Sequence, residues 1–270
     1  MQDIIITTLV ITLIGIFVGA GLVYASKKFY VKVDEREAAV RACLPGNNCG
    51  ACGFAGCDAM AAAIVSGQAP VNGCPVGGAA VAEKVGTVMG VTAEQTERYA
   101  AFVRCSGTCD VTGTLGKYVG ISDCRSASMA GLNLNECSYG CLGLGSCVKV
   151  CPQNAIKVIN GVAVVNENLC VSCGLCVKAC PKGLIELKPV AKKVAVRCSN
   201  RDRGAMVKNI CKAGCIGCMA CTKQCESDAI HVENNLASVS YDNCIQCGKC
   251  VEKCPVHVIT PPAETVAKEG

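Results

Sequence analysis

Three times the chain writes four cysteines at the spacing C-x2-C-x2-C-x3-C: Cys170, Cys173, Cys176 and Cys180; Cys215, Cys218, Cys221 and Cys225; and Cys244, Cys247, Cys250 and Cys254. Thiolates are soft ligands, and this is the spacing with which bacterial ferredoxins hold 4Fe-4S clusters. Three close cysteines wrap one cluster and the fourth crosses to its neighbour. On that crossover rule Cys151 joins Cys170, Cys173 and Cys176, Cys254 joins Cys215, Cys218 and Cys221, and Cys225 joins Cys244, Cys247 and Cys250. There are 26 cysteines in 270 residues, above ordinary core usage. A disulfide scaffold is one alternative, but such scaffolds are short secreted chains with cysteines spread singly. Zinc is another, yet its ligands come as pairs often supplemented by histidine, and this chain has only His231 and His257. The bunching favours iron–sulfur chemistry.

A fourth run departs from the pattern. Cys137, Cys141, Cys147 and Cys151 are spaced C-x3-C-x5-C-x3-C, and Leu144 stands where Cys218 stands in the later copy. Cys141, Cys147 and Cys180 therefore need a fourth ligand, which the spacing assigns to Cys137; a three-iron cluster on three thiols is the alternative. A separate set, Cys49, Cys52, Cys57 and Cys74, is spaced C-x2-C-x4-C-x16-C, with glycines at 50, 53 and 56 that let backbone N–H groups approach sulfur. Of the six cysteines left, Cys105 and Cys198 each sit in Val-Arg-Cys-Ser. Cys105, Cys124, Cys198 and Cys211 form a candidate sixth cluster site, the alternative being four buried apolar cysteines. Cys43 and Cys109 read as bystanders. The expected cofactors are thus about five 4Fe-4S clusters, or six with this last set.

The elements that must position these thiols repeat. The eight cysteines from Cys137 to Cys180 map onto those from Cys211 to Cys254 at a constant offset of 74 residues, an internal duplication. Between the cysteine runs, Ile156 to Val165 alternates around Asn160-Gly161, a type I′ hairpin signal, and Ile230 to Val239 repeats it around Asn234-Asn235. Asp58 to Ser66 reads as a helix stopped by Gly67. Proline follows Cys151, Cys180 and Cys254, while Glu226 follows Cys225 and adds a charge beside that site. Ile4 to Ala25 carries no charge and is long enough to span a bilayer as one helix. Lys27 and Lys28 beyond it place the C-terminal side, with every cysteine, in the cytoplasm. A cleaved signal peptide is the rival, but there is no basic n-region and no convincing cleavage site. Gly15 and Gly19 offer a weak helix-packing motif.

The predicted fold is α+β: one N-terminal transmembrane helix, a small four-cysteine 4Fe-4S module, then two tandem bacterial-ferredoxin-like two-cluster units. The expected boundaries are an anchor over 1–28, the four-cysteine module over 29–100, a connecting segment over 101–136, ferredoxin-like unit 1 over 137–190, a linker over 191–210 and unit 2 over 211–270. With no Trp and 4% aromatic residues, the soluble part is poor material for one large core, so small modules cored by clusters are expected. The formal charge of +5 counts every thiol as neutral. Each cluster with four thiolates carries about −2, so five of them bring the loaded chain to roughly −5. A nucleic-acid partner is excluded on that ground. No G-x-G-x-x-G lies between strand and helix and no C-x-x-C-H occurs, so nicotinamide and c-type haem sites are not expected.

The order of one N-terminal helix, Asn48-Cys49-Gly50-Ala51-Cys52-Gly53 through Cys74-Pro75, and tandem ferredoxin units resembles the B subunit of the Rnf complex, the ion-translocating ferredoxin:NAD+ oxidoreductase. The resemblance covers essentially the whole chain. Gly120 to Cys124 and Tyr139 to Gly145 look like the longer versions found in anaerobes. The resemblance implies a membrane-anchored electron-transfer subunit of a translocase, with no complete active site of its own. Its implied partners are soluble ferredoxin, the other membrane subunits and the lipid bilayer. It implies electron flow from ferredoxin to NAD+ through sibling subunits, coupled to Na+ or H+ transport. A polyferredoxin subunit of another membrane oxidoreductase, without ion pumping, is the alternative.

Overall fold

The computed structural model describes residues 2–28, 34–92, 97–116 and 118–261. The start of the charged stretch expected from Lys32 and the end of unit 2 beyond residue 261 lie outside the described residues. The expected anchor is a single helix, α1 (Gln2–Lys28), with both lysines in its last turn. Its side chains are described without interruption only over 12–28. Among the described residues, no helix is long and apolar enough to cross a membrane.

Three helices form the first module. Asp34 caps α2 (Glu35–Cys43), its carboxylate accepting the Arg36 N–H at 2.9 Å. Next come α3 (Cys57–Val65), followed by Gly67 at φ +75, and α4 (Gly78–Met89), stopped by Gly90 at φ +70. Val40, Leu44, Met60, Ile64 and Val85 pack between them. Asn48 Oδ1 accepts the Cys57 N–H at 2.8 Å, which ties the loop carrying Cys49 and Cys52 to the start of α3.

The remainder is built twice. In the first copy β1 (Tyr99–Val103) pairs antiparallel with β4 (Ile185–Pro189), in the register Val103 to Ile185. The hairpin of β2 (Ile156–Ile159) and β3 (Val162–Val165) packs beside it. Asn160 and Gly161 both have positive φ, 47 and 81, as a type I′ turn requires. Short helices α5 (Cys124–Met129), α6 (Ser146–Lys149) and α7 (Leu175–Ala179) carry cysteines at or near their starts. The second copy has α8 (Gly204–Ile210), α9 (Ala220–Lys223), the hairpin β5 (Ile230–Glu233) with β6 (Leu236–Val239), and α10 (Lys249–Glu252). Gly143 and its counterpart Gly217 lie at φ +70 and +64. A Cβ there would stand 2.6 Å from Gly161 O and 2.9 Å from Asn235 O, so only glycine lets each cysteine loop lie against its hairpin turn.

The units begin earlier than cysteine spacing suggests. Residues 101–136 are not a mere connection, because β1 completes the sheet of unit 1, and 191–210 is not a mere linker, because Val196 bridges Ile259 of unit 2. Short apolar segments with no periodic partner nearby found their pairing strand some 85 residues downstream in the first case and some 60 in the second, distances over which periodicity is silent. Cysteines sit within both cores. Cys105, Cys147 and Cys176 pack with Val103, Ile156 and Leu184; Cys198, Cys215, Cys221, Cys244, Cys250 and Cys254 pack with Val196, Ile230 and Val258.

Candidate metal centres

Four cavities are each walled by four cysteines. Cys49, Cys52, Cys57 and Cys74 line one of ≈ 330 Å³. Cys225, Cys244, Cys247 and Cys250 line another of ≈ 340 Å³. Cys124, Cys141, Cys147 and Cys180 line a third of ≈ 420 Å³, and Cys105, Cys137, Cys198 and Cys211 a fourth of ≈ 370 Å³. Two further sets are evident from mutual electrostatics. The thiols of Cys151, Cys170 and Cys173 lie near enough to Cys176 for their charge to push its pKa up. Around Cys221, Cys215 and Cys218 act in the same way. Cys254, the counterpart of Cys180, shares their core.

Two cysteines differ from their expected places. Cys137 does not join Cys141, Cys147 and Cys180; Cys124 stands there, and Cys137 lies with Cys105, Cys198 and Cys211. The reason is a clamp between distant segments. The Cys124 N–H donates to Ser146 Oγ at 2.6 Å, and the Ser146 hydroxyl donates to Asp123 Oδ1 at 2.6 Å. Ser122 Oγ donates to Leu144 O at 3.1 Å, and Lys149 Nζ to Ser122 O. Asp123 also caps α5, accepting the Ser126 N–H at 2.8 Å. These bonds bring Cys124 to the very loop in which Leu144 replaces a cysteine. One sequence signal pointed this way: Cys137 is the counterpart of Cys211 at the 74-residue offset, so the two belong to the same kind of site.

The bystanders stay outside the cavities. Cys109 Sγ covers the hairpin turn at Gly161, while Cys43 packs at the edge of the first module's core. Glu226 is largely exposed and paired with Lys249, which offsets the charge it would bring to its site.

Ten of the thiols are buried, most of the others are half-buried and Cys218 and Cys247 are exposed, and several of them are met by amide donors. Burial pushes Cys147 up to about 12, and Cys176, Cys198 and Cys250 to about 11, neighbouring thiols adding to the rise at each. At Cys225 burial raises the pKa, but the amides of Ala229, Ile230 and Ser227 hold it below the usual thiol value. Backbone N–H groups of Ala101, Ala155 and Leu184 point at Cys170, Cys151 and Cys180 at 3.3, 3.3 and 3.4 Å. In the second copy Ala229 N–H repeats the Ala155 contact, reaching Cys225 Sγ at 3.2 Å. Such donors stabilise thiolate and tune an iron–sulfur cluster. Among the described residues, no three His, Cys, Asp or Glu side chains are gathered for a metal ion. A tetrahedral single ion holds its sulfurs at about 2.3 Å and so draws them together. Here the thiols ring a cavity, as a cluster that offers a separate iron to each sulfur requires. The donor set fits 4Fe-4S clusters.

Neighbouring sets lie within electrostatic range of one another. Cys49 adds to the rise in the pKa of Cys173, Cys176 to that of Cys147, and Cys221 to that of Cys250.

Comparison with known proteins agrees with this arrangement. The FeS cluster family matches residues 44–76. Two 4Fe-4S dicluster domain families match residues 135–184 and residues 169–230 and 214–259. The chain is 45% identical over 251 residues to the B subunit of the Na(+)-translocating ferredoxin:NAD(+) oxidoreductase complex of Acetobacterium woodii, covering 93% of this chain and 75% of that one. It is 44% identical to the B subunit of the ion-translocating oxidoreductase complex of Methanosarcina acetivorans, over 91% of this chain and 94% of the relative. To the B subunit of the proton-translocating ferredoxin:NAD(+) oxidoreductase complex of Clostridium ljungdahlii it is 41% identical, over 96% and 93%. Likeness of this extent, running through the four-cysteine module and both duplicated units alike, shows that the chain belongs to the family of B subunits of ion-translocating oxidoreductase complexes.

Proposed function

We propose that the chain is the membrane-anchored iron–sulfur subunit that accepts electrons from reduced soluble ferredoxin and passes them to membrane partners that reduce NAD+ and move Na+ or H+. The observation that carries this reading is the recurrence of four-thiol cavities along one chain, with thiols of successive sets within electrostatic range of one another. Five sets are assigned as ligands: Cys49, Cys52, Cys57 and Cys74; Cys151, Cys170, Cys173 and Cys176; Cys124, Cys141, Cys147 and Cys180; Cys215, Cys218, Cys221 and Cys254; and Cys225, Cys244, Cys247 and Cys250. When bound, each 4Fe-4S cluster supplies one-electron redox chemistry. The chain's own part is to hold the thiols and to point amides at them.

The anchor is α1. Supporting this, the described side chains of Leu13, Ile14, Ile16, Phe17, Val18, Leu22 and Val23 are each more than half exposed, an apolar surface that water does not favour and lipid or partner helices would cover. With Lys27 and Lys28 inside, the cysteine-rich modules lie on the cytoplasmic side. The short stretch from Lys28 to Cys49 then keeps the first module near the bilayer, which makes its thiols the exit and the duplicated units the entrance.

Replacing Cys57 by Ala tests the direction of flow. Reduced ferredoxin should still bleach the clusters of the duplicated units, while ferredoxin-dependent NAD+ reduction by the assembled complex is abolished. Normal NAD+ reduction in the variant complex would put this site off the path.

A further inference from the structure

We propose that Cys105, Cys137, Cys198 and Cys211 hold a sixth 4Fe-4S cluster at the seam of the two ferredoxin units, joining them into one conductor. The inference deepens the electron-transfer reading above and rests on it for the use of the cluster, not for its existence.

The site is built by the duplication. Cys137 and Cys211 are counterparts at the 74-residue offset, and Cys105 and Cys198 are counterparts in their Val-Arg-Cys-Ser segments, so each unit gives two equivalent thiols. Each pair arrives on its own unit's framework: Cys105 follows β1, and Cys198 follows Val196, which bridges Ile259. An antiparallel bridge from Thr112 to Cys211, with Thr112 Oγ1 donating to Ile210 O at 2.8 Å, fastens one half to the other.

Three observations separate a cluster site from four apolar cysteines in a core. The four thiols ring one hollow, as they do in the other three four-cysteine cavities, instead of being dispersed through the core. Donors converge on the sulfurs: Asn200 and Cys215 N–H on Cys198 Sγ, and Asn200 Nδ2 on Cys137 Sγ, each at 3.4 Å. Last, Arg197 lines the cavity with its Nε buried and without a hydrogen-bond partner among the described residues. A buried guanidinium needs an anion. Neutral thiols offer none, while a 4Fe-4S cluster with four thiolates carries about −2. Taking up a preformed cluster exchanges four S–H bonds for four Fe–S bonds and releases four protons to solvent. After that, one electron entering and one leaving balance each transfer.

The position makes this set a bridge. Cys141 packs against the core that holds Cys105, and the Cys215 N–H donates to Cys198 Sγ at 3.4 Å. The six sets then form one series from the Cys49 module, through the Cys151 and Cys124 sets, across the seam, to the Cys215 and Cys225 sets.

The test is cluster counting on the full chain, purified without oxygen. Native mass spectrometry with iron and sulfide analysis should give about 24 of each per chain, against about 20 for five clusters. Alkylation of the loaded protein should reach only Cys43 and Cys109. A Cys105→Ala/Cys198→Ala chain should lose about four irons, and a Cys124→Ala/Cys137→Ala chain should show damage at two sites where either single variant shows one. Electrons supplied by ferredoxin should then no longer cross between the units of the Cys105→Ala/Cys198→Ala chain. About 20 irons in the unaltered chain, with Cys105, Cys137, Cys198 and Cys211 recovered as free thiols, would overturn the proposal without any variant having to fold. In that event five clusters and intact NAD+ reduction would leave the proposed function standing.

Discussion

Ser146→Ala removes one oxygen from the clamp that delivers Cys124 to its cavity. Ser146 is buried, accepts the Cys124 N–H and donates to Asp123, both at 2.6 Å. Helix α6 itself should not suffer, because alanine is the best helix former. The loss falls on α5: a partly buried amide is left without an acceptor, at a cost of about 2 kcal/mol. That raises the population of undocked α5 about 30-fold. The docking is not abolished, since Ser122 Oγ still reaches Leu144 O and Lys149 still reaches Ser122 O. Cys141, Cys147 and Cys180 would then hold their cluster through three thiols for part of the time, a state that loses its fourth iron on oxidation. Electron paramagnetic resonance of the oxidised protein should show a three-iron signal that grows on storage and matches the full-amplitude signal of Cys124→Ala. If Ser146→Ala gives no such signal, or if Cys137→Ala produces that same signal, the assignment of Cys124 is wrong.

Three further outcomes are expected. Replacing Cys151 by Ala should perturb the cluster of Cys170, Cys173 and Cys176 and leave the one at Cys141 and Cys147 nearly intact by the same spectroscopy; the reverse pattern would break the crossover rule. Glu167 accepts from Lys193 and faces the buried Lys188 at 3.4 Å. Burial alone would raise its pKa, yet the two lysines hold it below the usual carboxylate range. Glu167→Gln should therefore speed cluster bleaching in urea by the equivalent of about 1–2 kcal/mol near neutral pH, discounted for its partial exposure. A folded pKa below the unfolded one means this contribution is in place above about pH 4.5 and fades as the pH falls below it, so the two chains should converge in acid. Deleting residues 1–28 should release a soluble, still brown protein; retention in the membrane fraction without its partners would refute a single anchor.

Much of the thiol chemistry was legible in the chain itself, because a ferredoxin loop wraps its cluster with cysteines that are close in sequence. Cys49, Cys52 and Cys57, and the close triplets beginning at Cys170, Cys215 and Cys244, lie within one loop and one short helix each, so spacing alone gathers them. The duplication was equally plain from its constant offset. Even the turns were readable, since Asn160-Gly161 demands positive φ and both residues adopt it.

What spacing could not reach were ligands separated by folded distance. Cys124 and Cys137 exchange their expected places because hydrogen bonds from Asp123 and Ser146, more than twenty residues apart, dock α5 against the loop of Leu144. Cys105 and Cys198 meet because each follows a strand whose partner lies far along the chain, Ile185 for Val103 and Ile259 for Val196. Composition marks such strands only faintly, and their pairing is decided by the burial of Ala101, Val103, Val194 and Val196 in two separate cores. The amino-acid sequence alone determined which thiols are gathered together wherever the chain is local. Which distant thiol completes a set, and that one set straddles both units, was decided by the tertiary structure, because long-range strand pairing and side-chain clamps bring together residues that periodicity treats as unrelated.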